Sequence, residues 1–327
     1  MGLDASLIAA ATLRKQGSDA VENFADDATF QLQLAHVLLD GGYDGVATIG
    51  EALAGGDHGL GTLDRLDGEL VVVDGEPWQV DWHGEAHLVP PEATTPFVVV
   101  TTLESPRTLR LRDQSRDQVV AAVETLIDDR RTVGAVRLEG SFQHALVRSV
   151  PPQSRPYRPY AEVCVTDEVR WDYQPFEGTF VGFRFPDLAG AIPGLHLHGL
   201  SFDRRSGGHN HDLYVDDAVL SVGTSRDVVI VLPDRGMVDL LETPHALRSV
   251  QRLLLRRGPR TVTEIAAAMG ITETEASSRL DWLADRGYVE VLAGGVAGLG
   301  GADRWRVRLA TTNVRTGPRP SDLLADM

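Results

Sequence analysis

The chain has 327 residues, 43% hydrophobic and 24% charged, the proportions of a globular protein with room for two or three domains. One cysteine, Cys164, excludes an internal disulfide and a cysteine-built zinc finger. Of the net charge of −16, the first 235 residues carry about −17, which disfavours a nucleic-acid or anionic-membrane role for them, while residues 236–327 balance twelve arginines against eleven acids.

Residues 1–29 are rich in Ala and Asp and read as a weak helix or a frayed leader. They hold Lys15, the only lysine, so Schiff-base chemistry, which needs a lysine in a formed pocket, is nearly closed. No basic n-region opens the chain and no apolar run approaches the roughly 20 residues that cross a bilayer, so a cytoplasmic protein without a membrane partner is expected. A short helical pattern runs from Phe30 to Gly42, and strand patterns then take over, as in ELVVVDGEPWQV and PFVVVTTLE. Asp67-Gly68 and Asp74-Gly75 are turn signals between them. Residues 115–130 form an amphipathic helix with Ser115 at its N-cap.

From Thr132 to Pro233 short strands follow closely: GAVRLEGSF, ALVRSV, YAEVCVT, EGTFVGFRF, LHLHGLSF, HDLYVDDAVLSV and DVVIVLP. Such spacing predicts a barrel or a sandwich. After Pro233 come three helical segments, Thr263 being a candidate cap and Gly270 a turn, and then YVEVL, a glycine-rich tip and RWRVRL. That order is the winged-helix pattern. The fold class expected is therefore α+β. A mixed-sheet lobe (30–131) and a β-barrel-like metal lobe (132–235) are followed by a winged helix (245–310) and a disordered tail (311–327).

The strongest chemical constellation is His196-Leu197-His198, followed after ten intervening residues by His209. Residues two apart on a strand share a face, and Gly207-Gly208 suits a turn that returns a third imidazole. Three imidazoles with an open position are a common catalytic zinc arrangement. Taken alone, His-x-His is as often a pair of structural or surface histidines.

LHLHGLSFDRRSGGH resembles the metal-binding signature of the alpha-acetolactate decarboxylase family. The blocks LLDGGYDGVATIGEALAGGDHGLGTLDRLDGELVVVDGEPWQV, AVRLEGSFQHALVRSVPPQSRPYRPYAEV and FEGTFVGFRFP are similar to that family's in order and separation, over residues 30–235. The resemblance implies zinc on His196, His198 and His209, a substrate-facing Arg148, a catalytic Glu69 and a polar substrate contact from Thr62. It implies conversion of 2-acetolactate to acetoin and carbon dioxide; separately, a homodimer is expected. His211 stands where the family more often has an aliphatic residue. The family also has a glutamate near its C-terminus that folds back to the metal, and Glu242 is the candidate here. The winged helix is expected to serve dimerisation or DNA binding, although its third helix is net acidic. The rival reading is a regulator that senses acetolactate through a decarboxylase-like domain.

Overall fold

The structure, a computed structural model, describes residues 12–15, 28–129, 132–186, 192–225, 228–232, 245–285, 289–292 and 303–307. Glu242, most of the expected leader, the glycine-rich tip and the tail lie outside the described residues.

The chain order begins β1 (Thr12–Lys15), β2 (Thr29–Leu32), α1 (Ala35–Leu39), β3 (Ala47–Thr48), α2 (Ile49–Ala52), β4 (His58–Thr62), β5 (Glu69–Val73) and β6 (Glu76–Val80). It continues with β7 (Ala86–Leu88), β8 (Thr94–Thr95), β9 (Phe97–Thr101), β10 (Arg107–Ser115), α3 (Arg116–Leu126) and β11 (Val133–Ser149). Next come α4 (Tyr160–Thr166), β12 (Val169–Tyr173), β13 (Phe176–Phe185), β14 (Gly194–Ser201), β15 (Gly207–Ser225) and β16 (Val228–Leu232). The last elements are α5 (His245–Arg257), α6 (Val262–Met269), α7 (Glu273–Asp285), β17 (Val289–Leu292) and β18 (Arg304–Val307).

Two sheets carry the fold. The first has eight strands in the order β1-β16-β2-β9-β4-β5-β6-β7, parallel between β1, β16 and β2 and antiparallel elsewhere. The second has six, β10-β15-β14-β13-β11-β12, with a further β15–β11 pairing. The division expected at residue 131 does not follow these sheets. β10 hydrogen-bonds to β15 of the second sheet, and β16 inserts between β1 and β2 of the first. In the lobe expected to be barrel-like, the β15–β11 pairing joins β11, β13, β14 and β15 in a ring, with β10 paired to β15 and β12 to β11.

Other expectations change locally. Phe30–Leu32 is strand, paired to β9 and β16, so the helical pattern begins only at Ala35. Residues 12–15 form a strand rather than a helix. GAVRLEGSF and ALVRSV join in the single 17-residue strand β11, which register shifts between Ser141 and Val147 bend without breaking. YAEVCVT is the helix α4, because Pro159 ahead of it and Glu162 in its first turn are helix-start chemistry that outweighs its alternation. Ser115 stands at the N-cap of α3, its amide donating to Gln118 Oε1 at 2.8 Å. The cap of α6 is Thr261 rather than Thr263, its hydroxyl accepting from the Glu264 amide, and Gly270 closes that helix in the left-handed region at φ 65°.

The alternation of β5 fixes where the site lies. Leu70 and Val72 enter a core with Phe30, Ile49 and Val229, while Val71 and Val73 face Val181 and Leu200 of the second sheet. Glu69 shares the parity of Val71 and Val73 and so points between the sheets. The helices α5, α6 and α7 and the β17–β18 pair enclose a separate core of Val250, Leu254, Ile265, Leu280 and Leu283, with Trp282 and Trp305 packed on it. Among the described residues no helix is long and apolar enough to cross a membrane.

Candidate active site

His196 and His198 project from β14 toward the first sheet, and His209 lies opposite His198 in the β14–β15 register. His209 is also the cross-strand partner of Arg148 on β11. The close approach there depends on Gly208, at φ 133°, where a Cβ would stand 2.7 Å from the Arg148 carbonyl oxygen. The ligand atoms of the three histidines lie within 4.8 Å of one another. Ring centroids are 4.4 Å apart for His196 and His209, and 5.1 Å for His198 and His209. Arg116, the first residue of α3, braces both strands through the Leu195 carbonyl and Asn210 Oδ1, at 3.2 and 3.3 Å.

His198 Nδ1 meets the Leu70 carbonyl oxygen at 2.8 Å. A carbonyl only accepts, so the proton sits on Nδ1 and the Nε2 lone pair turns inward. That lone pair faces His209 Nδ1 at 3.1 Å and Glu69 Oε2 at 3.3 Å. Burial pushes the His196 imidazole down to about 4, helped by the Arg148 and Arg116 charges, and burial holds His198 and His209 well below their ordinary value. All three are neutral near pH 7, the form that ligates a cation. Three neutral imidazoles, His198 buried and His196 and His209 half-buried, fit a metal ion that takes nitrogen donors.

The structure brings Glu69 and Arg148 to the same place. Both side chains are almost fully buried, and Arg148 Nη1 donates to Glu69 Oε1. Burial raises the Glu69 carboxyl to about 7; Arg148 opposes the rise and Glu168 adds to it. Thr62 is buried on the neighbouring strand, opposite Glu69 in register, but its hydroxyl donates to the Gly68 carbonyl at 2.7 Å and so fixes the turn before Glu69.

Two members of this cluster escaped the sequence reading. Tyr160, at the start of α4, accepts from Arg148 Nη2. Glu168 places Oε2 3.3 Å from Arg148 Nε, while its other oxygen meets Arg170 Nε and lies 3.1 Å from His211 Nε2. His211 is thus half-buried and partnered. The Pro159–Glu162 spacing would have revealed the helix that carries Tyr160; no local signal ties Glu168 to the site, because Arg148 and His211 lie 20 and 43 residues away.

Three neutral imidazoles, an acid poised near neutrality and a buried guanidinium, set between two sheets, define a candidate metal-site enzyme for small anionic substrates. Residues 29–238 match the family model for alpha-acetolactate decarboxylase. The chain belongs to that family and is an enzyme of the carboxy-lyase class. It is 34% identical over 241 residues to the alpha-acetolactate decarboxylase of Methylococcus capsulatus, covering 72% of this chain and 92% of the relative. It is 36% identical over 212 residues to that of Klebsiella aerogenes, covering 64% and 81%. The crystal structure of alpha-acetolactate decarboxylase from Bacillus subtilis strain 168 superimposes with a TM-score of 0.62 at 27% identity, covering 71% of this chain and 99% of the other.

Proposed function

We propose that the chain is a zinc-dependent decarboxylase that converts 2-acetolactate to acetoin and carbon dioxide. The observation that carries this is the convergence of His196, His198 and His209 beside Glu69 and Arg148 in a chain of this family. His196, His198 and His209 would hold the ion, leaving at least one position open. Zinc, when bound, supplies a Lewis acid that stabilises negative charge on the keto and hydroxyl oxygens as carbon dioxide departs.

The protein groups account for the remaining steps. Glu69, held near 7, enters with its proton, which releases Arg148 Nη1 to grip the substrate carboxylate. The C–C bond to that carboxylate breaks, its electron pair remains as an enediolate, and Glu69 delivers its proton to the carbon. Glu69 is then a carboxylate beside an Arg148 that has just lost its anion, so the guanidinium keeps a counter-charge throughout. Glu69 regains its proton from solvent before the next turnover. Thr62 acts in this scheme through the turn that presents Glu69. Zinc-loaded protein is expected to form acetoin from acetolactate with about one zinc per chain, and His196→Ala to lose both. Metal-free protein with full turnover would overturn the assignment.

For residues 245–307 we infer a winged helix that packs rather than reads DNA. Five of its arginines are engaged by carboxylates: Arg252 and Arg256 by Asp40, Arg279 by Glu275, Arg304 by Glu264 and Arg306 by Glu290. Groups so paired are poorly placed to release counterions from phosphates. Salt-dependent retention of duplex DNA would count against this reading.

A further inference from the structure

The helix α5 ends on the loop that delivers Tyr160 to Arg148. The last carbonyls of a helix have no partner within it. Here the Tyr157 amide donates to the Arg256 carbonyl, and Arg155 Nη1 donates to the Leu255 carbonyl at 3.2 Å. From the far side Arg256 Nε donates to the Asp40 carbonyl at 2.6 Å, and the Asp40 carboxylate pairs with Arg252 at 2.8 Å and with Arg256 at 3.3 Å. Leu255 packs against the core that contains Tyr43 and Tyr157, whose rings meet edge to face at 5.2 Å. Tyr43 Oη in turn donates to the Arg158 carbonyl at 2.9 Å. Residues 155–158 are therefore gripped between α5 and the turn at 40–43. Two residues later α4 begins with Tyr160, whose hydroxyl accepts from Arg148 Nη2.

We infer that α5 is a positioning element of the active site: Arg256, clamped to Asp40, holds the loop 155–158, fixes Tyr160, and so sets the direction in which Arg148 presents its free N–H bonds. This rests on the reading that Arg148 grips the substrate carboxylate. A fork that must match a carboxylate tolerates displacements of only about 0.5 Å, and a slack loop exceeds that easily. The C-terminal segment is in this view part of what makes the guanidinium selective, although it touches no substrate.

The test uses the full-length zinc-loaded enzyme with Arg256→Ala, Asp40→Asn, Tyr160→Phe and the double variant Arg256→Ala/Tyr160→Phe. Arg256→Ala is expected to raise KM for acetolactate about tenfold while kcat and zinc content stay near wild type. Amide exchange across 155–160 should quicken in the same variant. Asp40→Asn, which keeps the side-chain shape, moves both readouts in the same direction and serves if Arg256→Ala fails to fold. The KM of the double variant should not exceed that of Tyr160→Phe. A helix that merely stabilises the fold would lower the melting temperature and leave KM alone. Wild-type KM and exchange in Arg256→Ala, or KM effects that multiply in the double variant, would overturn the inference. A wild-type enzyme that makes no acetoin would sink the functional reading instead, and the exchange measurement would then decide the clamp by itself.

Discussion

Arg148 has three kinds of nitrogen, and each meets a different group. Nη1 donates to Glu69, Nη2 to Tyr160, and Nε faces Glu168 Oε2 at 3.3 Å. Two buried carboxylates thus share one guanidinium. Glu69 rises despite an adjacent positive charge chiefly because burial disfavours its ionised form, and the Glu168 charge adds to the rise. A lysine carries one compact ammonium on a flexible stem and cannot reach all three partners. Arg148→Lys is therefore expected to lose charge-assisted hydrogen bonds worth together about 3 kcal/mol, or roughly a hundredfold in kcat/KM. Steady-state kinetics at matched zinc content check this. A lysine variant with wild-type kcat/KM would mean that a point charge suffices and that the fork geometry is incidental.

At the scale of elements the site is a consequence of strand parity. His196, His198 and Leu200 point from β14 to one side while Leu197 enters the opposite core, and Glu69, Val71 and Val73 answer them from β5. This part was legible in the sequence because a period of two needs only local information: His-x-His on a predicted strand places both rings together, and Asp74-Gly75 builds the turn it signals, both residues at positive φ. What stayed illegible depends on pairing between distant segments. Nothing near Arg148 announces Tyr160 or Glu168, and nothing in β10 tells that it leaves the neighbouring strands to join β15. YAEVCVT alternates like a strand, and only its proline start betrays a helix. The strand spacing within the second sheet itself rests on small residues. Gly182 of β13 faces Leu197 in register, and a Cβ there would fall 1.8 Å from the His196 carbonyl oxygen. Gly182→Ala must push β14 away, at the upper end of the ~1–3 kcal/mol that overpacking costs. Melting temperature and bound zinc should fall together in that variant. Normal metal content would show that the histidines tolerate a displaced strand.

At the scale of the whole molecule, the two sheets meet through side chains that must stay uncharged. His58 of β4 is buried against Phe183 of β13, the rings nearly perpendicular at 5.9 Å, and its Nε2 finds no hydrogen-bond partner among the described residues. Burial lowers this imidazole from 6.5 to about 4, and the Arg137 charge pushes the same way against backbone groups that raise it. Above pH 6.5 the folded and unfolded chains are both neutral at His58 and the group is indifferent. As pH falls from 6.5 towards 4, the unfolded chain takes up the proton first, so the stability present at neutral pH is progressively lost through that window. The full difference amounts to about 3 kcal/mol. His58→Leu removes the titration while keeping an apolar contact for Phe183. The variant's unfolding free energy in denaturant should therefore fall less than wild type's between pH 7 and pH 4.5, by most of that amount. Metal-free protein is the right material, because His196, His198 and His209 then respond equally in both chains and cancel in the comparison. Parallel pH profiles for the two proteins would mean that the interface opens to solvent in acid before His58 is charged, and that the sheets part for another reason.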